Sequence, residues 1–268
     1  ATSAYTGPLS CFGGFSFFTL WGRMAGIGLV RQALSTFLLA AGATCAASLE
    51  RSEQGSGNCL CLFDVDRTLT GQQDLTSPNC SANQVLPGIK DTAYGGGDLT
   101  LSQVGQSFKG TFCASCYIGI VTAGDVSGAG SQERTTLVQH LQGSGGKLPV
   151  TDWSGPSRGG EARRACTSQD AQSTLVTGCL DGTKQEAAKG IVTWLARRGV
   201  GILPSNVWLF DDRSINIVPF RGTGMNAKMI SCATRDPKMQ TGVCGATTQE
   251  ILQEPGVIVC DDQFDVLV

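Results

Sequence analysis

Acidic and hydroxyl side chains directly follow three apolar segments of this chain. They are Asp64 and Asp66, then Thr122, then Asp211 and Asp212. Four carboxylates brought together repel one another unless a cation lies among them. Oxygen ligands of this kind suit Mg²⁺, which also binds water and substrate phosphate. The spacing therefore predicts a magnesium site that accepts a phosphate group.

These side chains converge only if the apolar segments are strands of one parallel sheet, because ligands bind beyond the carboxyl ends of such strands. Continuous apolar runs are typical of strands that are buried on both faces. The predicted strands are Cys59–Phe63, Tyr117–Val121, Val207–Phe210 and Val257–Val259. The predicted helices are Leu99–Phe108, Ser131–Leu141, Lys184–Arg198 and Thr247–Gln253. Alternating strands and helices predict an α/β fold, with helices on both faces of a parallel sheet.

Two glycine-rich stretches interrupt this alternation, at residues 71–97 and 143–165. Long loops within a domain usually serve a function or are disordered. We expect these two to be either lids over the strand ends or surface loops without a role. No segment predicts a large helical cap, so the expected site has a small cap or none.

The charge balance excludes one class of function. Lys and Arg number 20 against 22 Asp and Glu, which gives a net charge of −2. A protein that binds nucleic acid through phosphate contacts has a basic surplus or a basic tract. A hydrophobic share of 41% and a mean hydropathy of +0.03 also argue against a disordered chain and against a polytopic membrane protein. We therefore expect no nucleic-acid partner.

The twelve cysteines indicate an oxidising compartment. Ala33–Ala43 is an apolar run too short to span a bilayer, and small residues follow it, as in a secretory signal peptide. We predict a leader over residues 1–47 and a secreted domain over residues 48–268, the alternative being a buried helix packed on the domain. Ten cysteines remain, an even number that favours disulfides. A zinc site is the alternative, and its four thiolates would be Cys59, Cys61, Cys113 and Cys116.

The order of these motifs resembles the haloacid dehalogenase-like (HAD) hydrolase superfamily. The first motif is Asp64-x-Asp66-x-Thr68 after a strand, and the second is Thr122 at the end of another. A lysine that begins a helix follows, and then an acidic pair after a further strand. The resemblance covers residues 58–218. It departs from the family at Arg67, where glycine is usual, and this places a cation next to the site.

The resemblance implies a role for each residue. Asp64 is the nucleophile and forms an aspartyl-phosphate. Asp66 lies two residues on, on the same side of an extended chain. It protonates the leaving oxygen and then takes a proton from water, and its main-chain carbonyl reaches the metal. Thr122 donates to a phosphoryl oxygen, and the lysine neutralises the charge that develops there.

The resemblance leaves two choices open. Lys184 begins a helix whose apolar face is buried, whereas Lys189 falls in the middle of the same helix, so Lys184 is favoured. Asp212 is favoured over Asp211 as the metal ligand, although Asp211 could share the metal. The residues expected to support the site are Asn216, Arg67 and Thr68.

The neighbouring strands of the family imply one disulfide pattern. The pair Cys59/Cys61 would join the pair Cys113/Cys116, at the end of the sheet away from the chemistry. The expected function is a secreted, Mg²⁺-dependent phosphatase that acts on a small or macromolecular phosphate monoester. The alternatives are a catalytically silent binding protein of the same fold and, among enzymes, a phosphotransferase or a carbon–halogen hydrolase.

Overall fold

The computed structural model describes residues 57–76, 79–156 and 163–260. The leader predicted for residues 1–47 lies outside these ranges. In chain order the strands are β1 (Leu60–Phe63), β2 (Gln84–Asp91), β3 (Gly97–Leu101), β4 (Tyr117–Val121), β5 (Trp153–Ser154), β6 (Leu175–Val176), β7 (Val207–Asp211), β8 (Asn226–Met229), β9 (Arg235–Asp236), β10 (Thr241–Gly242) and β11 (Val257–Ile258). The α-helices are α1 (Gln103–Gln106), α2 (Gln132–Gly143), α3 (Lys184–Ala196) and α4 (Ser214–Ile217).

Seven of these strands form one parallel sheet in the order β11-β8-β7-β1-β4-β6-β5. The three strands that carry the acidic and threonine motifs are neighbours, with β1 between β7 and β4. In this register Phe63 pairs with Phe210 on one side and with Ile120 on the other. The predicted α/β fold with a parallel sheet is confirmed.

Helices cover both faces of the sheet. Alternate side chains of β1 point to opposite faces, as the period of a strand requires. Leu60 and Leu62 pack in a core cluster with the apolar face of α3, including Ile191. Cys61 and Phe63 belong to a second cluster with residues of α1 and α2. The result is a three-layer arrangement with the motif strands in its middle layer.

Two predicted helices are wrong. The predicted helix Leu99–Phe108 begins with the end of β3, and only Gln103–Gln106 is α-helical. Leu99 and Leu101 are buried in the core, and β3 pairs antiparallel with β2. In the predicted helix Thr247–Gln253, only a short 3₁₀ turn forms, at Thr248–Glu250.

The glycine-rich stretch at residues 71–97 is not a loop throughout. It holds β2, and together with β3 this strand forms a hairpin whose connection includes Tyr94. The second stretch, 143–165, contains the short strand β5, and part of it lies outside the described residues. The sequence prediction also missed β6 and β8.

Five disulfides pair all ten cysteines of the described ranges. The pairs are Cys59–Cys116, Cys61–Cys113, Cys80–Cys244, Cys166–Cys179 and Cys232–Cys260. The expected link between the Cys59/Cys61 and Cys113/Cys116 pairs is confirmed, and the zinc alternative for these four thiols is wrong. Within the described ranges, no helix is both long enough and apolar enough to cross a membrane.

Candidate active site

The sheet brings the motif residues to one edge. Asp64 follows β1, and its backbone N–H donates to the carbonyl of Phe210 in β7 at 3.0 Å. Asp211 is the last residue of β7, and Asp212 comes next. Thr122 follows β4 on the other side of β1. The carboxyl ends of three neighbouring parallel strands therefore supply these side chains.

Three carboxylates meet at this edge. Asp64, Asp211 and Asp212 each place one oxygen within 4.8 Å of those of the other two, and all three residues are buried. Burial alone makes the charged form of a carboxylate unfavourable, and like charges nearby add to this cost. The cluster thus needs positive charge close to it.

Lys184 supplies one positive charge from inside the protein. It is the first residue of α3 and is completely buried. Its Nζ lies 2.8 Å from Asp64 Oδ1 and 2.5 Å from Asp211 Oδ2. Burial lowers the pKa of Lys184, but the charges of Asp211 and Asp64 outweigh it, so the pKa lies above its usual value. Lys189 lies on the surface and pairs with Glu186 at 2.6 Å.

The two adjacent aspartates differ in their contacts. Asp211 accepts from Asn216 Nδ2 at both oxygens, 3.0 Å each, and Oδ1 also accepts from the Arg213 N–H at 2.9 Å. Asp212 Oδ2 accepts from the Gly242 N–H at 2.6 Å, whereas its buried Oδ1 has no hydrogen-bond partner within the described residues. Burial and then the charge of Asp211 raise the pKa of Asp212 well above its usual value. A cation at Asp212 Oδ1 would satisfy this oxygen, so the donor set fits a hard divalent ion.

Asn216 connects the two segments that hold the acidic pair and the lysine. Its Oδ1 accepts from the Gly182 N–H at 2.9 Å, just before α3, while its Nδ2 donates to Asp211. The same Nδ2 lies 3.1 Å from Asp181 Oδ1. Asn216 itself is on α4 and is fully buried. It therefore fixes the orientation of the Asp211 carboxylate relative to the start of α3.

Asp64 combines burial with close contact to a cation. Burial raises its pKa to about 6, with Asp211 acting in the same direction. Lys184 opposes this shift, and the Thr122 side chain also hydrogen-bonds to the carboxylate. Lys184 and Thr122 therefore counteract the cost of burying this carboxylate.

The sequence predicts Asp66 on an extended continuation of β1, and this prediction is wrong. The strand ends at Phe63, and the chain enters a tight turn over Val65–Leu69. The Asp66 carboxylate groups with those of Asp91 and Glu133, and it lies outside the cluster formed by Asp64. Burial raises the pKa of Asp66 to about 7, and the charges of Asp64 and Asp91 add to the shift.

Gly124 packs directly against Asp66. A Cβ at position 124 would lie 2.9 Å from Asp66 Oδ2 and 3.9 Å from Thr122 Oγ1. A side chain at this position would displace the Asp66 carboxylate, so the close approach requires glycine.

Arg67 and Thr68 occupy the same turn as Asp66. Arg67 has φ 65°, a conformation that favours glycine, and its guanidinium lies 4.8 Å from the centre of the Tyr94 ring. Burial lowers the pKa of Arg67, and the neighbouring acidic groups oppose this. The main-chain carbonyl of Thr68 accepts from Ser102 Oγ at 2.8 Å, but the Thr68 hydroxyl has no partner among the described residues. Thr68 thus supports the turn through its backbone.

A cavity of about 470 Å³ opens over Asp64, Asp66 and Thr122. Asp125, three residues after Thr122, also lines this cavity. Sequence reasoning missed four other residues of its wall: Asp91, Tyr94, Glu133 and Asp181. Asp91 ends β2, which the sequence did not predict, and Glu133 lies on a helix that was predicted without identifying this residue as buried. Of these missed residues, only Asp181 could have been inferred from the sequence, because it lies three residues before Lys184.

Comparisons with models of known protein families, with curated proteins and with solved structures each gave no match to this chain.

Proposed function

We propose that the protein is a secreted, Mg²⁺-dependent phosphatase that hydrolyses phosphate monoesters through an aspartyl-phosphate on Asp64. The contact of buried Lys184 with Asp64, inside a cluster of three carboxylates at the strand ends, is the observation that carries this proposal. The order of the motifs, which resembles that of the HAD superfamily, supports it.

Asp64 is the nucleophile in this proposal. Its carboxylate attacks phosphorus, and the bond from phosphorus to the ester oxygen breaks. Lys184 holds Asp64 from one side through the 2.8 Å contact and offsets negative charge as the phosphoryl group transfers. The Thr122 hydroxyl, next to Asp64, donates to a phosphoryl oxygen.

Asp66 is the general acid and base. A pKa of about 7 leaves a substantial protonated fraction at neutral pH, which suits a group that must both give and take a proton. Protonated Asp66 gives its proton to the departing ester oxygen. It then takes a proton from the water that attacks phosphorus, and Asp64 leaves as a carboxylate while phosphate is released.

Asp64, Asp212 and the main-chain carbonyl of Asp66 are the groups that would hold Mg²⁺. The unpartnered Oδ1 of Asp212 supports this assignment. Asp211 is already engaged by Lys184 and Asn216, so it positions the lysine. When bound, Mg²⁺ supplies positive charge that lets the anionic nucleophile approach an anionic phosphate.

Five disulfides in a domain that also has a full apolar core support secretion. Disulfides of this number persist in oxidising compartments and are rare in the cytosol.

The test is hydrolysis of p-nitrophenyl phosphate by the wild-type protein and by Asp64→Asn, each with Mg²⁺ and with a chelator. We expect activity that requires metal and that falls by about 10³-fold or more in Asp64→Asn. Rapid quenching with ³²P-labelled phosphate ester should trap a hydroxylamine-sensitive phosphoprotein in the wild type and none in the variant.

Asp125→Asn is the matched control, because Asp125 lines the same cavity but lies outside both carboxylate clusters. This variant should retain activity within about threefold. Metal-dependent turnover that survives Asp64→Asn would refute the nucleophile. No turnover on a broad panel of phosphate esters would favour a catalytically silent binding protein.

A further inference from the structure

A second group of carboxylates lines the cavity beside Asp66. Asp66, Asp91 and Glu133 each place one oxygen within 4.8 Å of those of the other two. They come from three separate segments: the turn after β1, the end of β2 and the first turn of α2. The arrangement is therefore a product of the tertiary fold.

The protein fixes two of these carboxylates without any ligand. Asp91 accepts from the Ala93 N–H and from Gln73 Nε2, both at 2.8 Å. Glu133 Oε2 accepts from Ser127 Oγ at 2.5 Å. Both side chains are thus held in one orientation toward the cavity.

Glu133 leaves one oxygen unsatisfied. The residue is only 1% exposed, and its Oε1 is buried without a hydrogen-bond partner in the described part of the chain. Buried polar atoms are nearly always paired, and an unpaired carboxylate oxygen costs more than a neutral one. Because Glu133 lines the cavity, a bound ligand can provide the missing donor.

The charges around this group favour a cation as that ligand. Lys184 and then Arg67 act on Asp66, and Arg67 also acts on Asp91, so two cations face three carboxyl groups. Neither cation is a hydrogen-bond partner of Glu133, whose Oε2 accepts from Ser127 and whose Oε1 has no partner among the described residues. Two further arginines line the cavity: Arg213 is paired with Asp181, and Arg163 is exposed.

We propose that Asp91 and Glu133 bind the ammonium group of the substrate, whose phosphate lies at Asp64. This inference rests on the proposed phosphatase function and narrows its substrates to short amino-alcohol phosphates. An ammonium group offers three N–H donors and needs no fixed octahedral shell, unlike Mg²⁺. A carboxylate oxygen of Asp66 lies within 4.8 Å of those of Asp91 and Glu133, and Asp66 would also contact the ester oxygen. The chain between the ester oxygen and the ammonium group is therefore limited to about two carbon atoms.

The test compares ethanolamine phosphate with propyl phosphate, in which a methyl group replaces the ammonium group at nearly the same size. We expect the wild type to prefer ethanolamine phosphate in kcat/KM by about tenfold or more. Asp91→Asn and Glu133→Gln should bring this ratio close to one. Glu133→Asp, which keeps the carboxyl group, should retain part of the preference, and Asp152→Asn, at an exposed carboxylate outside this cavity, should leave the ratio unchanged.

Three results would overturn the inference. The first is equal kcat/KM for the two esters in the wild type, and the second is an equal fall in kcat/KM for both esters in the variants. The third is a bound metal equivalent, seen on titration with Mn²⁺ alone, that is absent in Glu133→Gln. If neither ester is hydrolysed, the phosphatase function fails and calorimetric binding decides the subsite separately. Tighter binding of ethanolamine phosphate that is lost in Glu133→Gln supports the subsite, and equal or absent binding rejects it.

Discussion

Lys184 is the residue on which the candidate site depends most. It is an ammonium group with no exposed surface, held between Asp64 and Asp211. A buried ion pair is costly to break because the remaining partner keeps an uncompensated charge. Here two carboxylates would lose their common cation at once, so the lysine serves folding as well as any chemistry.

Replacement of Lys184 by methionine should therefore destabilise the protein by about 3–5 kcal/mol in chelator. Adding Asp211→Asn removes one of the carboxylate charges left without a cation. The free energy of unfolding of the double variant should therefore fall by less than the sum of the two single losses. Urea unfolding of the four proteins measures this coupling. Lys189→Met, at an exposed pair with Glu186, should change stability by less than about 0.5 kcal/mol. Additive losses would contradict the ion-pair account.

Glu133 provides a second prediction at this scale, on pH. Burial raises its pKa to about 8, and the charges of Asp91, Asp66 and Asp125 add to the shift, while the hydrogen bond from Ser127 opposes it. With the cavity empty, the folded state thus keeps a proton that the unfolded state releases near 4.5, and a bound ammonium group would displace this proton. Between these pH values the unfolded state binds fewer protons, so this group lowers the stability as pH rises.

In chelator, the wild type should accordingly lose stability relative to Glu133→Gln by up to about 1.4 kcal/mol per pH unit in this window. Urea denaturation midpoints of both proteins, measured across the pH range, give the difference in stability at each pH. The contributions of the other titrating groups, which both proteins share, cancel in this difference. Parallel pH profiles would show that Glu133 is ionised in the folded protein.

At the scale of elements, the sequence predicts well those segments whose apolar pattern fits only one type of secondary structure. β1, β4 and β7 are continuous apolar runs, and α3 repeats its apolar residues at the helical period, so each has only one suitable structure. The hairpin is different. β2 contains Pro87 and Gly88, both poor strand residues, and apart from Asp91 its residues are exposed or half-buried, so no apolar pattern marks it as a strand that pairs with β3.

The same contrast applies to the site. Asp64, Thr122 and Asp211 follow strands that the sequence identifies, so their convergence could be predicted from the topology of a parallel sheet. Asp91 and Glu133 reach the cavity only through the hairpin and through the way α2 packs. A glutamate in the first turn of a helix is usually exposed, and the local sequence does not distinguish a buried one.

The turn that carries Asp66 is held by α1, at a point of very close approach. A Cβ on Gly105 would lie 1.9 Å from the carbonyl oxygen of Leu69. Gly105→Ala must therefore push α1 and the turn apart, with a cost of about 1–3 kcal/mol or more and a lower kcat if Asp66 is the acid. Gly143→Ala, where a Cβ meets nothing within 4 Å, is the control and should not destabilise the protein. Unfolding curves and kcat measured on both variants test this, and equal stability of the two would contradict the contact.

At the scale of the whole molecule, the disulfides reinforce a fold that already has a core. Cys59–Cys116 and Cys61–Cys113 join the segments around β1 and β4 at the amino ends of these strands, opposite the candidate site. Cys80–Cys244 connects the segment before β2 with the segment after β10. The crosslinks therefore constrain both the base of the sheet and the loops around it.

The Cys80–Cys244 and Cys166–Cys179 bridges allow a direct test of how the crosslinks act. They span 164 and 13 residues, and all four cysteines are buried, so replacing either pair by serine creates a similar packing defect. If the bridges act mainly by restricting the unfolded chain, loss of the longer one should cost about 5 kcal/mol and loss of the shorter one about 3 kcal/mol. Urea unfolding of the two double-serine variants without reductant measures both. An equal or reversed order would mean that local contacts in the folded state, and not the entropy of the unfolded chain, determine what each bridge contributes.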